Sequence, residues 1–159
     1  MLNSAIDLKA FYPEELAITD IEDTKEKIII HMHSVSKSCT CYRCGALLHK
    51  HHGSHHRMVQ DLPILGKQVM LDMQIYDYEC DSETCHSFAP TETFDGFLNY
   101  NSRMTTRLED LACVLALETS CEASARIMRS MNIKISGDTV ILLSGKLNDV
   151  LSGRLFYAD

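Results

Sequence analysis

The sequence predicts an α+β fold: a small β-rich module followed by a bundle of three helices. Three observations predict it. Two cysteine pairs flank the middle of the chain, an alternating apolar pattern runs into the second pair, and beyond Arg103 the apolar period changes from two to about 3.6. At 159 residues the chain has room for one ordinary domain or two small ones, neither able to bury a large apolar core unaided. The expected organisation is an N-terminal helix and leader strand over 1–35, a cysteine-bearing domain over 36–95 and a helical domain over 96–159.

Each element has its own signal. Leu2, Ile6, Leu8 and Phe11, ahead of Pro13, have the spacing of a short helix over Leu2–Tyr12. Thr24–Val35 contains the β-branched run Ile28-Ile29-Ile30 and reads as a strand. Asp61-Leu62-Pro63-Ile64-Leu65-Gly66 reads as a turn, and Lys67–Glu79 then alternates Val69, Leu71, Met73 and Ile75 with Gln68, Met70, Asp72 and Gln74, the pattern of a half-buried strand. Phe88–Phe94 is a candidate edge strand, because Pro90 has no N–H to give to a ladder. In the helical part, Met104, Leu108, Leu111, Ala112 and Leu115 form one stripe. Ser120 caps a second helix through Ala123, Ile127 and Met131, and Ser136 or Asp138 caps a third through Val140, Leu143 and Leu147.

Charge narrows the function classes. The net charge is −7, with −4 in residues 1–35, −1 in 36–90, −2 in 91–102 and none in 103–159. Whole-chain attraction to nucleic acid is thereby excluded, and any DNA contact must come from local basic clusters. Seven cysteines, an odd number, and no charged-then-apolar leader argue for the reducing cytoplasm over a secreted disulfide framework. No apolar run reaches the roughly 18 residues of a membrane span, so no membrane association is expected. No glycine-rich phosphate loop and no set of nucleophile, base and oxyanion donors is visible, so an enzyme is not expected.

The cysteines carry the strongest chemical signal. Cys41-Tyr42-Arg43-Cys44, followed by Gly45, is a Cys-x2-Cys knuckle, and Cys80-Asp81-Ser82-Glu83-Thr84-Cys85 supplies a wider second pair directly after the alternating strand. A β-hairpin that brings the two together makes a zinc ribbon holding one Zn2+ on Cys41, Cys44, Cys80 and Cys85. Four thiolates leave no open coordination position, so the ion would be structural. Cys39 in place of Cys41, or His86 in place of Cys85, would keep the metal and change a ligand.

The histidines His49, His51, His52, His55 and His56, with Lys50 and Arg57, lack an interspersed carboxylate at ligand spacing and read as a solvated polar loop. Below about pH 6.5 they would also suit phosphate contacts. Cys113 and Cys121 read as buried apolar side chains. The three short helices fit either a plain bundle that packs on a partner or a helix-turn-helix. In the second case the third helix, opening at Ser136-Gly137-Asp138-Thr139, would face DNA with Lys146, while Arg126, Arg129 and Lys134 would meet phosphates.

Together these residues resemble the N-terminal region of the ISL-three insertion-sequence transposases. The resemblance runs from about Ile28 to Leu147. It rests on Cys41-Tyr42-Arg43-Cys44-Gly45, the element from Arg57 to Asp61-Leu62-Pro63-Ile64 before Gly66, the strand into Cys80, the knuckle closing on Phe88, and the helical segment with Ser136 and Thr139. It implies a zinc-binding domain and a helix-turn-helix that recognise transposon inverted repeats, a homodimer for synapsing two ends, and a bacterial cytoplasmic protein found on the nucleoid when bound. Where that family is strongly basic, this chain has Tyr76-Asp77-Tyr78-Glu79. The family's catalytic carboxylate domain finds no space after Leu147, so DNA cleavage is not expected. The competing expectation is a zinc-ribbon protein-interaction module that docks on or modulates a transposase or another partner without binding DNA.

Overall fold

A computed structural model describes residues 7–85 and 89–155, with side chains as far as Lys146. A 3-10 turn over Leu8–Phe11 leads into strands β1 (Leu16–Asp23), β2 (Lys27–Ser34), β3 (Cys39–Thr40), β4 (Leu47–Leu48), β5 (His51–Ile64) and β6 (Lys67–Tyr78). Helices α1 (Thr106–Glu118), α2 (Cys121–Ser130) and α3 (Gly137–Leu155) follow. The architecture is α+β. A four-stranded mixed sheet in the order β1-β2-β6-β5 stands beside the helices, and β3 and β4 form a separate two-stranded hairpin. β1 runs antiparallel to β2, β2 parallel to β6, and β5 antiparallel to β6.

The alternation in β6 places one row of side chains inward: Val69, Leu71, Met73 and Ile75 are fully buried. They pack with Ile30 and Met32 of β2, Val59 of β5 and the loop residues Phe94, Phe97 and Leu98. Full burial of side chains of this size is worth about 1.5–3 kcal/mol each, so this face is the main support of the sheet. The opposite face carries the other set, including Asp72, Gln74 and His31, and stays partly open.

Several expectations are corrected. β1 was not anticipated from the sequence; its register slips between Ile18 and Asp20, which breaks the alternation that would have revealed it. The histidine run is no loop: His51 to His56 lie in β5, paired with β6 from Tyr78 to Gln74, with their side chains exposed. The turn expected from Asp61 is confined to Leu65 and Gly66, both with positive φ (50° and 78°), and β5 continues to Ile64. Of the edge strand expected over Phe88–Phe94, Phe88 lies outside the described residues, and the described part makes only the isolated bridges Asp77–Thr91 and Phe94–Leu98. The helix expected over Leu2–Tyr12 is a 3-10 turn where it is described, and its first residues lie outside the described part.

The three helices fall where the 3.6-residue period put them. The Ser120 hydroxyl accepts from the Ala123 amide at 3.2 Å to cap α2, and the Ser136 hydroxyl accepts from the Thr139 amide at 3.2 Å to cap α3. Their shared core is Leu108 and Ala112 of α1, Ala125 and Met128 of α2, Val140 of α3, and Ile133 of the connection between the last two helices. Cys113 is buried there, as expected, and Cys121 is half-buried.

The helices join the sheet through two neighbouring residues of β5. Gln60 donates its amide to Arg103 O at 2.8 Å and accepts from Thr105 N at 3.0 Å, so residues 103–105 run along the open edge of β5. Its side-chain oxygen also accepts from Lys134 N at 3.1 Å. Asp61, 2% exposed, accepts from the Thr105 hydroxyl and from Arg107 Nε, both at 2.7 Å, and its other oxygen is bound by Arg107 Nη2. The Arg107 guanidinium lies 5.3 Å from the Tyr12 ring centroid and 5.8 Å from that of Phe97. One buried ion pair thereby ties β5, α1 and the N-terminal segment together. Asp61 raises the Arg107 pKa, and burial, followed by the Asp61 charge, pushes the Tyr12 phenol up to about 12.

Candidate metal centre

Four cysteines meet beyond the end of β6. The first knuckle grows from the β3–β4 hairpin, in which Cys39 pairs with Leu48 and Thr40 with Leu47. Inside it, Cys41 N donates to Ala46 O and Gly45 N to Cys41 O, each at 2.8 Å. Gly45 has φ 72°, a conformation glycine adopts without a side-chain penalty, and this lets the chain turn so that both Cys41 and Cys44 face one side. The second knuckle continues from β6. Glu79 N donates to Lys50 O at 2.8 Å, which holds the strand end against the chain leaving β4, and Cys85 N donates to Ser82 O at 2.9 Å to close the turn.

The sulfurs of Cys41, Cys44, Cys80 and Cys85 all lie within 4.8 Å of one another. Two of the separations, Cys41–Cys85 at 3.8 Å and Cys44–Cys80 at 3.7 Å, are far too long for a disulfide. They match an ion at the centre of a tetrahedron: with metal–sulfur bonds of about 2.3 Å, the sulfurs stand about 3.8 Å apart. None of the seven cysteines is in a disulfide. The cluster can therefore hold a metal ion, and its four sulfurs would close the coordination sphere.

Cys39 is not part of this set. Its thiol is buried and directed toward the carbonyls of Thr40 and Thr91, at 3.6 and 3.8 Å, and burial raises its pKa. His86, the other alternative, lies outside the described residues. Amides of Cys44 and Arg43 donate to the Cys41 sulfur and hold it down at about 6. At Cys80 the Ser82 amide pulls the pKa down, but burial and the three surrounding sulfurs outweigh it and push the thiol up to about 12. Crowding four thiols this closely makes some of them hard to ionise, and a cation replacing their protons relieves that conflict.

The residues expected at a DNA surface divide into two groups. A groove of about 1100 Å³ between β5 and α3 is lined by Arg57, Lys134, Thr139 and Lys146, together with Arg103 and His56. Glu109 is the one carboxylate among its described lining residues, and it already accepts from Asn99 Nδ2 at 2.6 Å and the Ser102 hydroxyl at 2.5 Å. Arg103, Lys134 and Lys146 are exposed and make no ion pair among the described residues. Arg57 is half-buried and committed: its guanidinium donates to Ser102 O at 2.5 Å and Asn99 O at 3.4 Å. Sequence reasoning missed Arg103, whose exposure depends on the 103–105 segment running along β5.

A second groove, of about 1050 Å³, shares Lys134 and adds Arg129, Lys25 and Lys27. Arg129 is partly engaged, donating to Ile135 O at 3.0 Å and to Glu122 at 3.1 Å. Arg126 is exposed on α2 and lines neither groove, and Asp138 is exposed in the first turn of α3. The Ser136 hydroxyl is occupied at the start of α3, 2.9 Å from that of Thr139. The acidic stretch before the second knuckle is internally paired. Asp77 accepts from Thr91 at 2.5 Å and contacts His55 at 3.1 Å, Glu79 meets Lys50 at 2.6 Å, and Tyr78 is buried.

Comparison with known proteins finds no matching family model, no matching curated protein and no matching solved structure. No helix among the described residues is long and apolar enough to cross a membrane.

Proposed function

We propose that this chain is the zinc-containing DNA-binding region of an insertion-sequence transposase, acting in recognition of transposon ends. The observation that carries the reading is the cationic groove. In a chain of net charge −7, Arg103, Lys134 and Lys146 stand exposed in one groove beside α3, and Glu109, the one carboxylate among its described lining residues, is already hydrogen-bonded. Clustered cations in an otherwise acidic protein are the footprint of a polyanion. In this reading α3 is the recognition helix of a helix-turn-helix, and Thr139 and Lys146 approach the DNA from its exposed face. Lys134, Arg103 and Lys146 take phosphates, and Arg57 supports the groove wall rather than the ligand. The four-cysteine cluster acts as a structural zinc site of ribbon type that fixes the far end of the sheet.

Protein association also has an observation in its favour. Ile141 of α3 is 57% exposed, and Val114 and Leu117 of α1 are 56% and 64% exposed. Such apolar exposure suits a homodimer that brings two DNA ends together, or a partner-docking module that binds no DNA. Elemental analysis of the purified chain, followed by gel retardation of duplexes carrying candidate inverted repeats at low and moderate salt, separates the readings. The DNA reading expects one equivalent of zinc and salt-sensitive, sequence-preferring retardation. Zinc without retardation at any salt would leave only the protein-interaction reading, and absence of metal would remove the ribbon.

A further inference from the structure

Two exposed aromatic rings stand beside the groove and have no part in either core. Tyr42 is 64% exposed and Tyr100 is 66% exposed, and their ring centroids are 6.4 Å apart with 40° between the planes. The spacing is informative. At this distance and tilt the rings are a contacting aromatic pair, so a nucleobase enters between them by turning two exposed side chains through about 40° until their planes are parallel at about 6.8 Å, twice the 3.4 Å spacing of stacked bases.

Both rings are carried on fixed backbone. Tyr42 sits between Cys41 and Cys44 in the turn that the metal centre would lock, and the Arg43 guanidinium lies 5.8 Å from its ring centroid. Tyr100 is presented by a tight loop in which Asn101 has φ 57°. Arg57 grips that loop from one side through the carbonyls of Asn99 and Ser102, and Glu109 grips it from the other through their side chains. Tyr100 also lines the groove that holds Arg103, Lys134 and Lys146. Exposed aromatics at the mouth of a cationic groove are the arrangement that takes nucleic acid with unpaired bases, the cations following the backbone and the rings stacking the bases.

Building on the DNA-binding reading above, we infer that Tyr42 and Tyr100 clamp an unpaired base. The ligand of this face is then DNA with a single-stranded or frayed segment next to a duplex, not fully paired duplex alone. It also gives the metal centre a role in binding, because the Cys41–Cys44 turn is the mount for one half of the clamp.

The test is fluorescence anisotropy with the metal-loaded full chain on two labelled DNAs, a blunt duplex and the same duplex with a short single-stranded overhang. The overhang should tighten binding by at least about 5-fold, the lower end of what one stacked base contributes. Tyr42→Ala should abolish that advantage while leaving blunt-duplex affinity unchanged, Tyr100→Ala should abolish it as well, and Tyr100→Phe should retain it. Equal affinity of the unaltered chain for both DNAs, or alanine variants that keep the overhang preference, would overturn the clamp and leave duplex recognition standing. Failure to bind either DNA at low salt would overturn the DNA-binding reading and the clamp with it.

Discussion

The two ends of the sheet are closed by opposite chemistry. At one end, the knuckles that bring Cys41, Cys44, Cys80 and Cys85 together rest on a slight apolar cluster, chiefly Leu48, Tyr78 and Cys39. At the other, β5 meets the helices through the buried Asp61–Arg107 pair, flanked by a full apolar core on either side. The first joint can be strong only with an ion in it, since two-residue strands and a handful of side chains cannot offset the entropy of ordering the loops. The second needs no ion. Its charges satisfy one another, and its strength depends on both partners being present.

This contrast orders the predictions. The largest effect is expected at the first joint. Cys44→Ser, or removal of metal with a chelator, should release the ion and unfold the knuckles, because structural zinc contributes on the order of 10 kcal/mol to such modules. Circular dichroism and elemental analysis before and after chelation would register it, and α1–α3 should keep their helical signal. At the second joint, Asp61→Ala leaves the Arg107 guanidinium half-buried and unpaired. The expected loss is about 3 kcal/mol of stability in denaturant melts, with metal content unchanged. If both changes melted the whole chain in one step, the two joints would not be separate devices.

A smaller, functional effect is expected in the groove between them. Lys146→Ala should weaken DNA binding at every sequence and reduce the slope of log affinity against log salt by about 1, without altering the melting temperature.

The smallest prediction concerns pH. His31 bridges strands, with Nδ1 2.9 Å from Asp72 and Nε2 3.0 Å from Glu22, and His56 meets the other Asp72 oxygen at 2.9 Å. Hydrogen bonds donated to Asp72 and then to Glu22 raise the His31 pKa above its usual 6.5, and those Asp72 accepts from His56 and His31 hold it below its usual 3.8. A group with a raised folded-state pKa contributes its stability in full below its unfolded value and loses it as pH rises through the folded one. Asp72 works in the other direction, contributing above its unfolded value and losing it as pH falls. The bridge is therefore complete in mildly acidic solution. His31→Ala should lower the melting temperature more at about pH 5.5 than at about pH 8.5.

The same contrast explains what the sequence revealed. The four-cysteine cluster was legible because its signal is local: Cys-x2-Cys with a following glycine announces a knuckle before any tertiary structure is known. The helices and β6 were legible because one period persists over many residues. The Asp61–Arg107 joint was not, since its partners are 46 residues apart in sequence and look like surface charges until the fold buries them. β5 does not read as a strand in the sequence because its outer half is a run of exposed histidines with no apolar alternation to betray one. Tyr42 and Tyr100 belong to the same class: only the fold sets them side by side.

If local cations give this acidic chain a DNA surface, duplex affinity must fall as salt rises. Three exposed cations, Arg103, Lys134 and Lys146, predict a log–log slope of about −2.7, at −0.9 per phosphate neutralised. A slope near that value, made shallower by Lys146→Ala, would support the account. Affinity independent of salt, or no binding at low salt, would contradict it.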